Sequence, residues 1–238
     1  MALIICPECH KQVSSFATAC PTCGYPISFA ENNQEQDTLV FGHYSNSFLD
    51  NSWVSEKHPI EWLVLAHNEN KALVLSKYGL FSATYLFNKD QGSWKTSNIR
   101  SLLNRDFFRR CFNDEEKTRI ISTCIFAKNY ESEDKIFLLS WKELIQYFST
   151  DEARRCAPAD FAATTDKNPF YGDYWAFQKT YTHNSVSIQG KSTCWWWLRS
   201  EDDEASEMPE VNNCGKIQYV QARISNAVRP AMWIYLES

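Results

Sequence analysis

Cys194-Trp195-Trp196-Trp197-Leu198-Arg199-Ser200 puts three tryptophans at consecutive positions. In an extended chain successive side chains point to opposite faces, so Trp195 and Trp197 share one face and Trp196 takes the other. Indoles on both faces supply a large apolar area, which suits a central strand covered on both sides. The triplet reads as core, and the domain around it as rich in strands at its C-terminal end.

Downstream, residues 216–222 and 227–234 also have strand composition. Alternation places Ile217, Tyr219 and Gln221 on one face and Gln218, Val220 and Ala222 on the other. Val220 and Ala222 suit packing, so the first set faces out. Tyr219, Gln221, Arg223 and Asn226 then form an amphipathic aromatic followed by adaptable polar groups, a mixture that binding faces favour, and these four are the candidate ligand-binding residues. Arg199 and Arg229 lie at corresponding places on two strands and are expected to bond carbonyls or carboxylates. Between the strands, Glu201-Asp202-Asp203-Glu204 and Glu207 read as a solvated acidic loop rimming that face. The run lacks the glycine and alternation of an EF-hand calcium loop.

Upstream, residues 39–44, 60–66 and 72–76 are strand candidates, the last two joined by a turn at 67–71. Residues 94–108 carry Ile99, Leu102, Leu103 and Phe107 at helical spacing. Asn113 with Glu116, and Ser140 with Glu143, have capping-box spacing at helix N-termini. Residues 136–139 read as a short buried strand.

The first 29 residues are a different object. Cys6-Pro-Glu-Cys9 and Cys20-Pro-Thr-Cys23 are two Cys-x-x-Cys knuckles separated by ten residues. Four thiolates close a tetrahedral shell, which suits structural Zn2+ and leaves no open position for catalysis. A unit this small cannot bury enough surface to fold alone, so the metal serves as its core. His10 follows Cys9 as Gly24 follows Cys23, where a left-handed backbone is common, and is read as a turn residue. Residues 30–38 are polar and read as a linker, which fully extended reaches about 30 Å. The expected organisation is a zinc ribbon at 1–29, the linker at 30–38, and an α+β domain at 39–238.

The net charge is −5, and within residues 1–29 the only charged side chains are Glu8 and Lys11. Both facts disfavour nucleic acid and anionic membranes as partners. No apolar run approaches the roughly 20 residues of a membrane span, and no secretory leader is evident, so the expected location is cytoplasmic. The five cysteines outside the ribbon, among them Cys194 and Cys214 on either side of the acidic loop, are expected as reduced thiols.

Several elements occur in a fixed order: Phe41-Gly-x-Tyr44, Pro59-Ile-Glu-Trp62, Ala72-Leu-Val-Leu-Ser76, Trp94-x-x-Ser97-x-x-Arg100-x-x-Leu103-Asn104, Phe137-Leu-Leu-Ser140, Trp196-Trp197-Leu198-Arg199-Ser200 and Val228-Arg229-Pro230-Ala231. Together they resemble the bacterial family called domain of unknown function 6273, whose members often follow a zinc ribbon. That family is similar to the C-type-lectin-like fold of formylglycine-generating sulfatase modifiers and of proteins varied by diversity-generating retroelements. The resemblance implies an α+β fold, a small zinc ribbon plus a C-type-lectin-like domain with a twisted antiparallel sheet. It carries no activity across, because the modifiers' active-site cysteines find no matching motif here.

No nucleophile–base pattern is visible in the chain. The expected function is non-catalytic recognition of a protein or a carbohydrate-like ligand. The alternatives are an enzyme related to the sulfatase modifiers and a zinc-ribbon protein associated with nucleic acid. Thiol titration of denatured, metal-free protein without added reductant should count all nine cysteines. A count of seven, with Cys194 and Cys214 protected, would point instead to an oxidising compartment.

Overall fold

The computed structural model describes residues 3–5, 9–14, 20–23, 37–45, 57–68, 70–86, 92–128, 130–160, 186–188, 190–201 and 205–237. Cys6, most of the linker and Asp202, Asp203 and Glu204 lie outside them.

The N-terminal unit is a hairpin of β1 (Leu3–Ile5) and β2 (Gln12–Ser14). A first five-stranded sheet begins with β3 (Thr38–Ser45), β4 (Lys57–Asn68) and β5 (Lys71–Ser76). Thr38, expected in the linker, already pairs with Leu63. The pairing of β3 with β4 shifts between Val40 and His43. Gly42 there has φ +73, and a Cβ on it would come within 2.6 Å of the Phe112 ring, so only glycine fits. Its N–H donates to Glu116 Oε1 at 3.0 Å.

β6 (Phe81–Thr84) leads to the helical region. Ser97 caps α1 (Asn98–Leu102), which passes through a π-turn (Leu103–Phe107) into α2 (Phe108–Cys111). Residues 94–97, expected within this helix, form the turn ahead of it. Ile99, Leu102, Leu103 and Phe107 are buried as their spacing requires. The Asn113–Glu116 capping box opens α3 (Asp114–Arg119), followed by β7 (Ile120–Ile121), β8 (Thr123–Phe126) and β9 (Glu131–Asp134).

Residues 136–139 are buried as expected, but they are not a strand. Asn104 takes the place of a neighbouring strand. Its Oδ1 accepts from the Lys135 and Ile136 N–H groups, and its Nδ2 donates to the Ile136 carbonyl at 2.8 Å. One bridge, Phe137 to Ala231, is the sheet contact that remains. The Ser140–Glu143 capping box then opens α4 (Trp141–Tyr147), and α5 (Asp151–Arg154) follows.

β10 (Ser187–Ile188) and β11 (Lys191–Ser192) form a small hairpin. The tryptophan strand is β12 (Trp196–Trp197), succeeded by β13 (Glu207–Val211), β14 (Ile217–Gln221), β15 (Ser225–Val228) and β16 (Ala231–Tyr235). The sheet orders are β3-β4-β5-β16-β7 and β14-β13-β12-β15-β6, so β12 is the centre of its sheet. Trp196 and Trp197 are fully buried. Their indole N–H groups donate to the carbonyls of Arg154 and Ala83 at 3.2 and 2.7 Å.

The fold is thus α+β and mostly strand, with two departures from the sequence reading. Two sheets stand where one antiparallel sheet was expected, and β12 pairs in parallel with β15. Residues 227–234, read as one strand, divide at Arg229-Pro230 between β15 in the second sheet and β16 in the first. Proline has no N–H to give a ladder, and its carbonyl instead accepts from Ser76 N at 2.8 Å.

A carboxyl group in the core titrates away from its ordinary range. Glu210 on β13 is fully buried, with Gln218 Nε2 donating at 2.6 Å and Asn226 Nδ2 also donating to it. Burial pushes its pKa up, against the two amide donors. The folded chain then holds this proton more tightly than the unfolded one. The contribution is present below the usual carboxylate range and lost as pH rises through the raised value. Denaturant unfolding of Glu210→Gln across pH should show a shallower fall in stability than the parent, and parallel profiles would refute the assignment.

Candidate functional site

The site begins at the end of the tryptophan strand. Arg199, on leaving β12, lays its guanidinium on Glu143, with Nη1 to Oε2 at 2.8 Å and Nη2 to Oε1 at 3.1 Å. Nη1 also donates to the Leu138 carbonyl at 2.6 Å. Glu143 meanwhile accepts the Ser140 N–H at 2.6 Å, so one carboxylate both closes α4 and receives the arginine. This fixes the first turn of α4, with Trp141 and Lys142, beside the end of β12.

The next residue locks a second element. Ser200 N donates to Tyr85 Oη at 2.9 Å, and the Tyr130 hydroxyl donates to the Ser200 carbonyl. Burial pushes the Tyr85 phenol far up, so it stays neutral. The Tyr130 carbonyl accepts the Ala127 N–H at 3.0 Å, closing the β8–β9 hairpin that carries Phe126.

Between these elements lies a groove of about 470 Å3. Phe126 and Trp141 line one part, Pro209 and Tyr219 another, and Lys142, Glu201 and Glu207 supply charge. Tyr219 is 54% exposed and Phe126 70%, high values for large apolar side chains. Lys142 pairs with Glu201 at 2.9 Å and lies 5.4 Å from the centre of the Trp141 ring. Pro209 faces Tyr219 across the β13–β14 ladder, so both lie on one side of the sheet. The groove offers aromatic faces for stacking and both signs of charge for orientation.

The four candidate ligand-binding residues separate. Tyr219 lines the groove, while Gln221 and Arg223 are exposed farther along and do not line it. Asn226 is 3% exposed and donates to Glu210 on the opposite side of the sheet, so it is not on the surface face that alternation gave it. The reasoning ran past the end of β14 at Gln221, where a turn resets the alternation. It also missed Phe126 and Trp141, which join the groove from other parts of the chain. The local signals were a Trp directly after a capping serine and a Phe that follows buried Ile125 in a two-residue alternation.

Cys194 and Cys214 do not pair. Cys194 bridges Cys156, and the Cys214 carbonyl accepts from Arg155 Nε at 3.2 Å. Arg229 donates to the Ser76 carbonyl at 2.7 Å, as a structural guanidinium should.

At the N-terminus, the sulfurs of Cys9, Cys20 and Cys23 lie within 4.8 Å of one another, a grouping able to hold a metal ion. The Cys9 and Cys20 sulfurs are 3.6 Å apart. Tetrahedral Zn–S bonds of about 2.3 Å place two sulfurs about 3.8 Å apart, so the donors fit that ion. The Thr22 N–H, with further help from the Cys23 N–H and the Cys9 and Cys23 thiols, brings the Cys20 thiol down to about 6 against its burial. Cys6 lies outside the described residues. His10 has φ 56 and is exposed, a left-handed turn residue apart from the sulfur cluster.

Among the described residues no helix is long and apolar enough to cross a membrane. No curated protein and no solved structure matches the chain. Residues 69–236 match the family described as Domain of unknown function (DUF6273). That span takes in β5 through β16, with the tryptophan strand and every residue lining the groove, and the chain belongs to this family.

Proposed function

We propose that this chain is a non-catalytic binding protein, in which a zinc-stabilised ribbon is tethered to a C-type-lectin-like domain that recognises a protein or carbohydrate-like ligand. The observation that carries the reading is the groove around Tyr219. Residues 126–128, Trp141 with Lys142, Ser200 with Glu201, Ala205 with Glu207 and Pro209, and Tyr219 converge there and present Phe126, Trp141 and Tyr219 with a Lys–Glu pair. Flat aromatic faces stack on sugar rings and on apolar side chains alike, and charged groups at the margin orient what is stacked. The rigid supports of the groove suit recognition, because little order has to be created on binding.

In the ribbon, Cys6 joins Cys9, Cys20 and Cys23 as the fourth thiolate on Zn2+. A closed shell of this kind contributes folding energy and no chemistry. The cytoplasm is the expected location, in keeping with a metal site built from reduced thiolates.

Two measurements test the proposal. Elemental analysis of freshly purified protein should find one zinc per chain, lost in Cys9→Ser and Cys20→Ser while the body stays folded on its own core. Metal content near zero in the parent would end the zinc assignment. For the groove, the full chain is screened on immobilised oligosaccharides and peptides, and hits are repeated with Tyr219→Ala. The exposed tyrosine should cost less than about 0.5 kcal/mol of stability when removed, while binding falls at least about tenfold, equivalent to 1.4 kcal/mol. A hit that binds parent and variant equally would place recognition elsewhere, and a screen with no hits would count against a binding role.

A further inference from the structure

Two cysteines far apart in sequence meet in the core. Cys156, just after α5, and Cys194, just before β12, form an antiparallel bridge in which Cys194 N donates to the Cys156 carbonyl at 2.7 Å. A hydrogen-bonded antiparallel pair holds its Cα atoms about 5.5 Å apart, inside the range of about 4.4–6.8 Å that a disulfide spans. Both residues are buried, at 1% and 0% exposure. The Cys156 thiol donates to the Ala157 carbonyl at 3.3 Å, and the Cys194 side chain is near enough to lower its pKa. Gly79 lies against them, and a Cβ on it would stand 3.3 Å from the Cys194 sulfur.

The charge beside the pair is unusual. Arg229 is buried, like Arg199, but only Arg199 has a carboxylate partner. Arg229 gives Nε and Nη2 to the Ser76 and Lys77 carbonyls, its Nη1 has no hydrogen-bond partner, and no ion pair to it occurs among the described residues. Burial lowers the Arg229 pKa, and the anionic forms of Cys156 and Cys194 are the charges that oppose that shift. A buried cation without a partner is costly, and a thiolate offsets it. Burial raises the Cys156 thiol, but the Cys194 hydrogen bond, Arg229 and Gly79 together outweigh it and bring the thiol down to about 7. Cys111, equally buried and with only the charge of Arg110 to oppose burial, is pushed far up.

We propose that Cys156 and Cys194 are a redox-modification site, a buried dithiol that closes to a disulfide on two-electron oxidation by hydrogen peroxide. The Cys156 sulfur attacks one peroxide oxygen. An S–O bond forms, the O–O bond breaks, and the departing hydroxide takes up the thiol proton as water. The Cys194 sulfur then attacks the Cys156 sulfenic acid. An S–S bond forms, the S–O bond breaks, and the second hydroxide leaves with the Cys194 proton as water. Two thiols and one peroxide give one disulfide and two waters.

The zinc-loaded full chain is treated with peroxide, alkylated and digested with trypsin without reduction. Cleavage after Arg155, Lys167, Lys191 and Arg199 isolates the two cysteines on peptides 156–167 and 192–199. The expected product is these two peptides joined, two hydrogens lighter than their sum, separated again by dithiothreitol and lost in both Cys156→Ser and Cys194→Ser. In the Cys194→Ser chain the Cys156 peptide should instead carry a dimedone-trapped sulfenic acid. Three results would overturn the proposal: both cysteines alkylated after oxidation of the folded chain, a link from Cys194 to Cys214, or the expected link forming only in denaturant.

Discussion

Arg199 reaches from the end of the buried tryptophan strand to the carboxylate of Glu143, and that carboxylate also closes the N-terminus of α4. The arginine side chain is almost wholly buried and its partner about two-thirds so, which makes the pair sensitive to the loss of either member. Removing one side of a buried ion pair typically costs about 3–5 kcal/mol, because the other charge is left without compensation. Here the consequence is also positional. With the fork in place, Trp141 and Lys142 are held next to Ser200 and Glu201, and the groove has a wall. The same few residues continue through Ser200 to Tyr85 and Tyr130, and so to the hairpin that bears Phe126.

Polar groups in this core are handled in four ways. Arg199 is neutralised by a carboxylate. Asp134, also buried, accepts from Arg100, Trp94 and Ser132, so charge and hydrogen bonds satisfy it together. Glu210 has amides and no cation, and burial shifts it toward its neutral form. Arg229 cannot take that last route, because a guanidinium does not deprotonate in proteins. Its compensation comes from carbonyls, from the face of Trp196 at 4.9 Å, and from the neighbouring sulfurs.

The N-terminal hairpin and the body differ in what holds them. Among the described residues the body has two five-stranded sheets and a continuous apolar core running from Phe41 to Ile234. A unit of under about 30 residues is too short to bury the apolar surface that would offset the ordering of its backbone. Sulfurs gathered within bonding reach of one ion answer that deficit.

The sequence by itself determined what a few adjacent residues can settle. The capping boxes at Asn113 and Ser140, the left-handed turn at His10, the central place of Trp196 and Trp197, and the grouping of Cys9, Cys20 and Cys23 each depend on side chains acting on backbone a few positions away, or on a spacing that suits one geometry. Tertiary structure alone decided the rest. Asn104 replaced a strand partner for residues 135–136, Pro230 handed the chain from one sheet to the other, and Asn226 turned inward to Glu210. Cys194 met Cys156 instead of Cys214, and Phe126, Trp141 and Tyr219 came together around one groove. These contacts join residues tens of positions apart. Their partners are chosen by sheet order and by competition for buried hydrogen bonds, which no local pattern encodes.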